Sequence, residues 1–228
     1  MHSKQFMNLK TIRNETDNNL DTMTREELIA EIKRLRQMTF SEPERPIEYV
    51  KIIVFSIVAA CVYGIAHNLV TAHICVEYFL PPIHPMIVPT NNPFLLALIW
   101  GIVATWWVGL FLGIALAFVC RFGSRPKLTV KNVVCPILIL LVVLYVVAMS
   151  LGAIGYIAGR MGTVLLVFLY TLPRYHEIVP ELYAPLLFNI LAHNAAYLLG
   201  AVGGLVLMFR LWKKRRTLAF ATHNNSFA

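Results

Sequence analysis

Charge is scarce in this sequence. Asp, Glu, Lys and Arg make up 14% of the chain while 58% is hydrophobic, against the roughly 25% charged residues of an ordinary soluble domain. Together with a mean hydropathy of +0.66, this excludes a large water-soluble core and makes the bilayer the expected solvent. Cysteine is limited to four single residues, Cys61, Cys75, Cys120 and Cys135. With no CxxC and no dense spacing, disulfide scaffolds and zinc modules are excluded, and these thiols read as small buried apolar groups. The chain also has no HExxH, no clustered HxxEH and no glycine-rich phosphate loop. No apolar stretch precedes Ile52, so the first spanning helix is expected to serve as the insertion signal.

Four long uncharged runs are present, each near the ~20 residues a helix needs to cross the hydrocarbon. They cover about residues 52–70, 94–120, 133–158 and 184–209. The first is free to continue through His73 and Glu77 until Pro81 and Pro82 stop it, and the second starts after Asn91, Asn92 and Pro93. The fold class is therefore all-α, a polytopic four-helix transmembrane bundle over residues 52–212. Ahead of it, residues 1–23 read as a flexible tail and 24–38 as a short amphipathic helix opened by a Thr24–Glu27 capping box. Residues 39–51, with Pro43 and Pro46, form a linker, and 213–228 a basic tail. The apolar stretch from Thr163 to Leu172 is too short to span and is expected to lie along the outer surface.

The net charge of +8 does not point to nucleic acid, because the basic residues sit beside the apolar runs. Arg45 and Lys51 precede the first run, Arg121, Arg125, Lys127 and Lys131 fill the link between the second and third, and Lys213 to Arg216 follow the fourth. The opposite side has no Lys or Arg in its first loop and only Arg160 and Arg174 in its second. By the positive-inside rule, both termini and the middle link face the cytoplasm. Arg121, Arg125 and Lys127 form a compact basic turn whose expected partner is anionic lipid headgroups.

Inside a bilayer, helices associate through small residues that let backbones approach. Three GxxxG pairs supply this: Gly109 with Gly113, Gly155 with Gly159, and Gly200 with Gly204. They favour a tight bundle and leave open whether one glycine face is reserved for another subunit or a second copy.

Ionisable groups at membrane depth are costly, so the few present are the first places to look for function. Ala66-His67-Asn68 and Ala192-His193-Asn194 repeat one tripeptide on helices of opposite direction at similar depth, where the two imidazoles can meet. His73 and Glu77, four apart, share a face if the first helix continues, with Cys75, Tyr78 and His84 nearby. His176 and Glu177 lie in the other outer loop. Asn189, His193 and Tyr197 recur every four residues as a polar stripe. Imidazole and carboxylate suit a transition metal or a proton, and His67, His73, Glu77, His193 and His176 are the candidates. His67 and His73 project from different sides of a regular helix, so a site would use His73 and Glu77 with His193, or His67 with His193. The bland alternative is that Asn189 and His193 bond across the bundle and hold its register. Trp106 and Trp107 sit well inside the second run and either pack there or line a lipid or quinone pocket.

No motif specifies an activity, a cofactor or a catalytic residue. The function expected from the sequence is that of a non-catalytic accessory or assembly subunit, packed through its glycine faces into a larger membrane complex. The alternatives are a metal- or proton-binding membrane enzyme using the His and Glu positions, and a homo-oligomeric pore or small transporter.

Overall fold

The computed structural model describes residues 24–30, 46–162 and 180–224. Among these, all regular structure is helical, and four helices are long and apolar enough to cross a membrane: Pro46–Ile74, Pro93–Arg121, Lys131–Arg160 and Tyr183–Phe220. The chain divides into residues 46–219, which hold the bundle, and a smaller unit made of the residues on either side. In the smaller unit the capping box forms at Thr24, whose N–H and hydroxyl both donate to Glu27 Oε2, at 2.8 and 2.9 Å. These two bonds hold the Glu27 carboxyl below its ordinary value. The segment from Thr163 to Leu172, His176, and most of the expected 24–38 helix lie outside the described residues.

Helix α1, Pro46–Ile74, starts earlier than the apolar run because Pro46 needs no hydrogen-bonded N–H at a helix start. It stops at Ile74, and a 3₁₀ turn, Val76–Phe79, follows. Glu77 therefore does not continue the helix that carries His73. The second span is two helices, α2, Pro93–Val103, and α3, Trp106–Arg121. Asn92 caps α2 by accepting from the N–H groups of Phe94 and Leu95 at 2.9 and 3.3 Å, with Pro93 next, the Asn-Pro pattern that favours a helix start. Helix α4 is Lys131–Arg160 and α5 is Tyr183–Asn224, so helical structure runs on into the basic tail.

Glycine sets how closely these helices approach. A Cβ on Gly109 would sit 2.7 Å from Ile57 Cα, and one on Gly113 would sit 2.9 Å from Ile53 Cα. The first glycine pair thus packs α3 on α1. Likewise Gly155 faces Leu187 and Gly159 faces Ala184 at 2.6 Å, packing α4 on the start of α5. The third pair differs, since Gly200 has open space around it while Gly204 meets Leu112 at 3.1 Å.

The side chains are arranged for a hydrocarbon solvent. Val54, Val58 and Val62, spaced one turn apart on α1, point outward, as do Ile139, Val142 and Val146 on α4. Polar groups turn inward: Ser56, His67, Asn68, Thr71 and Asn189 are buried. One apolar cluster, containing Ile52, Leu116, Val133 and Leu207, closes the end where α1 begins; another, containing Ala72, Phe79, Leu96 and Leu186, closes the end where α1 stops.

At the first of these ends Arg215 is buried and donates to four carbonyls, those of Val119 (2.6 Å), Phe122 (3.0 Å), Arg125 (2.9 Å) and Pro126 (2.8 Å). It thereby satisfies carbonyls that the end of α3 leaves without helical partners. Arg121, expected at the lipid headgroups, is instead enclosed by protein, with Nη1 donating to the Leu128 carbonyl at 3.1 Å and the guanidinium over the Tyr49 ring. Arg125 is exposed and Lys127 half-buried.

Candidate functional site

The polar face of α1 at its far end carries Tyr63, His67 and Thr71 at intervals of four, with Gly64 and Asn68 beside them. Outside the helix is hydrocarbon, so these groups must turn toward the neighbouring helices. Their main partner is α5. Asn189 donates from Nδ2 to the carbonyls of Thr71 (3.0 Å) and Cys75 (3.2 Å), tying α5 to the end of α1. One turn further along α5, His193 meets His67 edge to face, with ring centroids 4.6 Å apart. The two Ala-His-Asn tripeptides therefore bring their imidazoles together.

His193 donates from Nδ1 to the Asn189 carbonyl at 2.8 Å. That bond fixes the tautomer of the neutral ring and leaves Nε2 as an acceptor. The turn after α1 completes the surroundings. Tyr78 lies 4.7 Å from His193 and 4.9 Å from His84, and His84 lies 4.9 Å from Trp100. His84 donates from Nδ1 to the carbonyl of Tyr78, so the loop that carries it folds back on the 3₁₀ turn. Cys75, at the join between helix and turn, is buried and its thiol is pushed up to about 12, chiefly by that burial.

The interruption in the second span lies beside these residues. Thr105 donates its hydroxyl to the Gly101 carbonyl at 2.5 Å, while its own N–H reaches back only three residues, to Ile102. A threonine bonded to the carbonyl one turn earlier bends a helix. Gly64 of α1 presses on this point, for a Cβ there would collide with the Gly101 carbonyl and the Thr105 side chain.

Together these elements enclose a partly open cavity of about 90 Å³. Helix α1 contributes Tyr63, Gly64, His67 and Asn68; the turn and loop contribute Tyr78, Phe79 and His84; Trp100, Ala104 and Thr105 line it around the interruption; and α5 contributes His193, Ala196 and Tyr197. None of these is Asp, Glu, Lys or Arg. His67 is 3% exposed, and neither of its ring nitrogens has a hydrogen-bond partner among the described residues. The same holds for the Tyr63 hydroxyl one turn away on the same helix face. Buried polar atoms in native proteins are nearly always paired, and leaving one unpaired costs about 1–3 kcal/mol.

The other positions singled out from the sequence do not join this cavity. His73 is exposed, and its Nδ1 donates to the Leu69 carbonyl of its own helix at 2.6 Å. Glu77 is exposed and accepts from the Cys75 thiol at 3.4 Å. Among the described residues no three His, Cys, Asp or Glu side chains group as a metal-ligand set. Trp106 and Trp107 point outward, about half exposed; Trp100 is the tryptophan on the cavity wall. Sequence reasoning also passed over Tyr63 and Thr105. A hydroxyl residue four positions after Gly101, inside an apolar run, is the local signal of the interruption. Comparison with protein-family models, with curated proteins and with solved structures finds no match to this chain.

Proposed function

We propose that this chain is a membrane protein that binds a small, uncharged ligand in the cavity between α1, the interrupted second span and α5. The observation that carries the reading is the buried His67 imidazole, a cavity-lining residue whose two nitrogens have no hydrogen-bond partner among the described residues. A neutral imidazole offers one donor and one acceptor, and the adjacent Tyr63 hydroxyl offers both. The absence of charged residues on the wall favours an uncharged occupant, since a buried ion without a partner is costly. Interrupted spanning helices beside a cavity are also how membrane proteins bring backbone and small polar side chains to a ligand.

The test is native mass spectrometry of the full chain, extracted gently from its own membrane, compared with His67→Phe. The reading expects a retained small molecule on the wild-type chain that is lost from a variant with an unchanged helical spectrum. Equal mass excess on both chains, or none on either, would count against it.

A second reading, that the chain is an accessory subunit, has one observation in its favour. Gly200 sits in open space on α5, whereas Gly109, Gly113, Gly155 and Gly159 are all occupied within the chain. In the bilayer, the proposed orientation places the Arg121 and Arg215 end in the cytoplasm, supported by the Lys and Arg residues gathered there. Headgroup contact then falls to Arg125 and Lys127.

A further inference from the structure

Resting on the ligand-binding reading above, we infer that the cavity takes the oxygen-bearing edge of a single planar ring of the quinone or quinol type, entering from the bilayer. Four features of the site lead there. The first is its hydrogen-bonding character. Tyr63 and His67 can each donate or accept, while the His193 tautomer held by the Asn189 main-chain carbonyl offers Nε2 only as an acceptor. Such a wall pairs with a ring carbonyl through Tyr63 or His67, and with a ring hydroxyl through His193. It therefore accommodates either oxidation state of the same molecule. The second is charge: among the described residues no acidic or basic side chain lines the cavity, which disfavours carboxylates, phosphates and amines.

The third feature is shape. Tyr78, His84 and Trp100 line the cavity with successive ring centroids 4.9 Å apart and ring planes inclined at 56° and 68°, so they offer both edges and faces to an aromatic partner. At about 90 Å³ the space is smaller than the roughly 150 Å³ apolar cavity that admits benzene. It thus holds the edge of one ring and leaves any tail outside. The fourth is access. Tyr197, 55% exposed, is the one exposed residue among those lining the cavity, and it lies 14 positions into the α5 span, about 21 Å at ~1.5 Å rise per residue. That depth is hydrocarbon, so a tail leaving past Tyr197 enters lipid.

The experiment uses the full chain in lipid nanodiscs, titrated with a decyl-substituted benzoquinone, the corresponding quinol, and decylcyclohexane as a ring without oxygen. Saturable, protein-dependent binding of quinone and quinol is expected, with affinities within about threefold of each other, and none of decylcyclohexane. His67→Phe should weaken binding at least about tenfold, the loss of one to two hydrogen bonds. Tyr63→Phe should weaken it by a smaller factor, and His67→Gln, which keeps a donor and an acceptor, should recover part of the loss. Thermal midpoints measured alongside separate lost binding from lost folding. Signals that follow lipid content alone, or that are equal in His67→Phe, would overturn the inference. If native mass spectrometry shows a His67-dependent ligand that neither probe displaces, the quinone assignment falls and the ligand-binding reading stands. If no ligand is retained and no probe binds, both fall.

Discussion

At the scale of single residues, Asn189 and His67 illustrate two uses of a polar group in hydrocarbon. Asn189 is fully enclosed, and its amide spends both donors on the Thr71 and Cys75 carbonyls. Its work is to join two helices. Asn189→Leu should lower stability by about 1 kcal/mol, the usual scale of an interhelical hydrogen bond in a membrane, and at most about 2. Thermal unfolding in detergent measures this. His193 bonds to the main-chain carbonyl of residue 189, which leucine keeps, so its tautomer should be unchanged in this variant. His67 has no such bond among the described residues, and its ring packs against those of Tyr63 and His193. Cys75 belongs with Asn189: its thiol, pushed up to about 12, stays protonated through the neutral range and ionises only as pH approaches that value. Maleimide at pH 8 should therefore leave Cys75 unmodified in the folded chain and label it after denaturation, as mass spectrometry of the peptide would show. Rapid labelling of the folded chain would mean the join between α1 and the 3₁₀ turn is open.

At the scale of elements, the second span is where the sequence was least informative. Its 29 residues from Pro93 to Arg121 read as one uninterrupted apolar helix, because periodicity does not register a two-residue break. The cause is tertiary, a threonine hydroxyl turned onto Gly101 and a glycine of α1 pressed against both. The four spans and the capping box at Thr24 were legible because each rests on local chemistry, whereas the cap that Asn92 supplies was not read. The meeting of His67 and His193 was legible for another reason: equal depth on antiparallel helices is arithmetic. The joining of His84 and Trp100 was not, since it depends on the path of a loop. Gly64 and Gly200 now provide a matched test. Gly64→Val should cost on the order of 1–3 kcal/mol from overpacking and distort the cavity, because its Cβ meets backbone. Gly200→Val should leave the isolated chain's thermal midpoint unchanged within about 0.5 kcal/mol. Should Gly200→Val nevertheless weaken self-association or recovery of a partner chain, the accessory-subunit reading gains experimental support.

At the scale of the whole molecule, the two ends of the bundle differ in chemistry. One end is closed by arginine, with Arg215 holding four carbonyls and Arg121 buried against Tyr49. The other holds the imidazoles and the cavity and carries no buried arginine or lysine among the described residues. The orientation proposed above, with the arginine end in the cytoplasm, would put the cavity in the far half of the bilayer. Introduced cysteines at Ser124, in the link after α3, and at Thr90, in the loop before α2, should then react with impermeant maleimide from opposite sides of sealed vesicles. Ser124→Cys should be protected in right-side-out vesicles and Thr90→Cys labelled. The reverse pattern would turn the molecule over and move the cavity to the cytoplasmic half.

The most direct test of the account is an experimental structure of the chain purified from its own membrane with no ligand added, at a resolution that shows ordered water. The account predicts density larger than a water molecule in the cavity, within about 3 Å of a ring nitrogen of His67 and extending toward Tyr197. Isolated water peaks that pair both nitrogens of His67 and the Tyr63 hydroxyl, with nothing else between α1 and α5, would contradict it and leave the histidines as part of the packing.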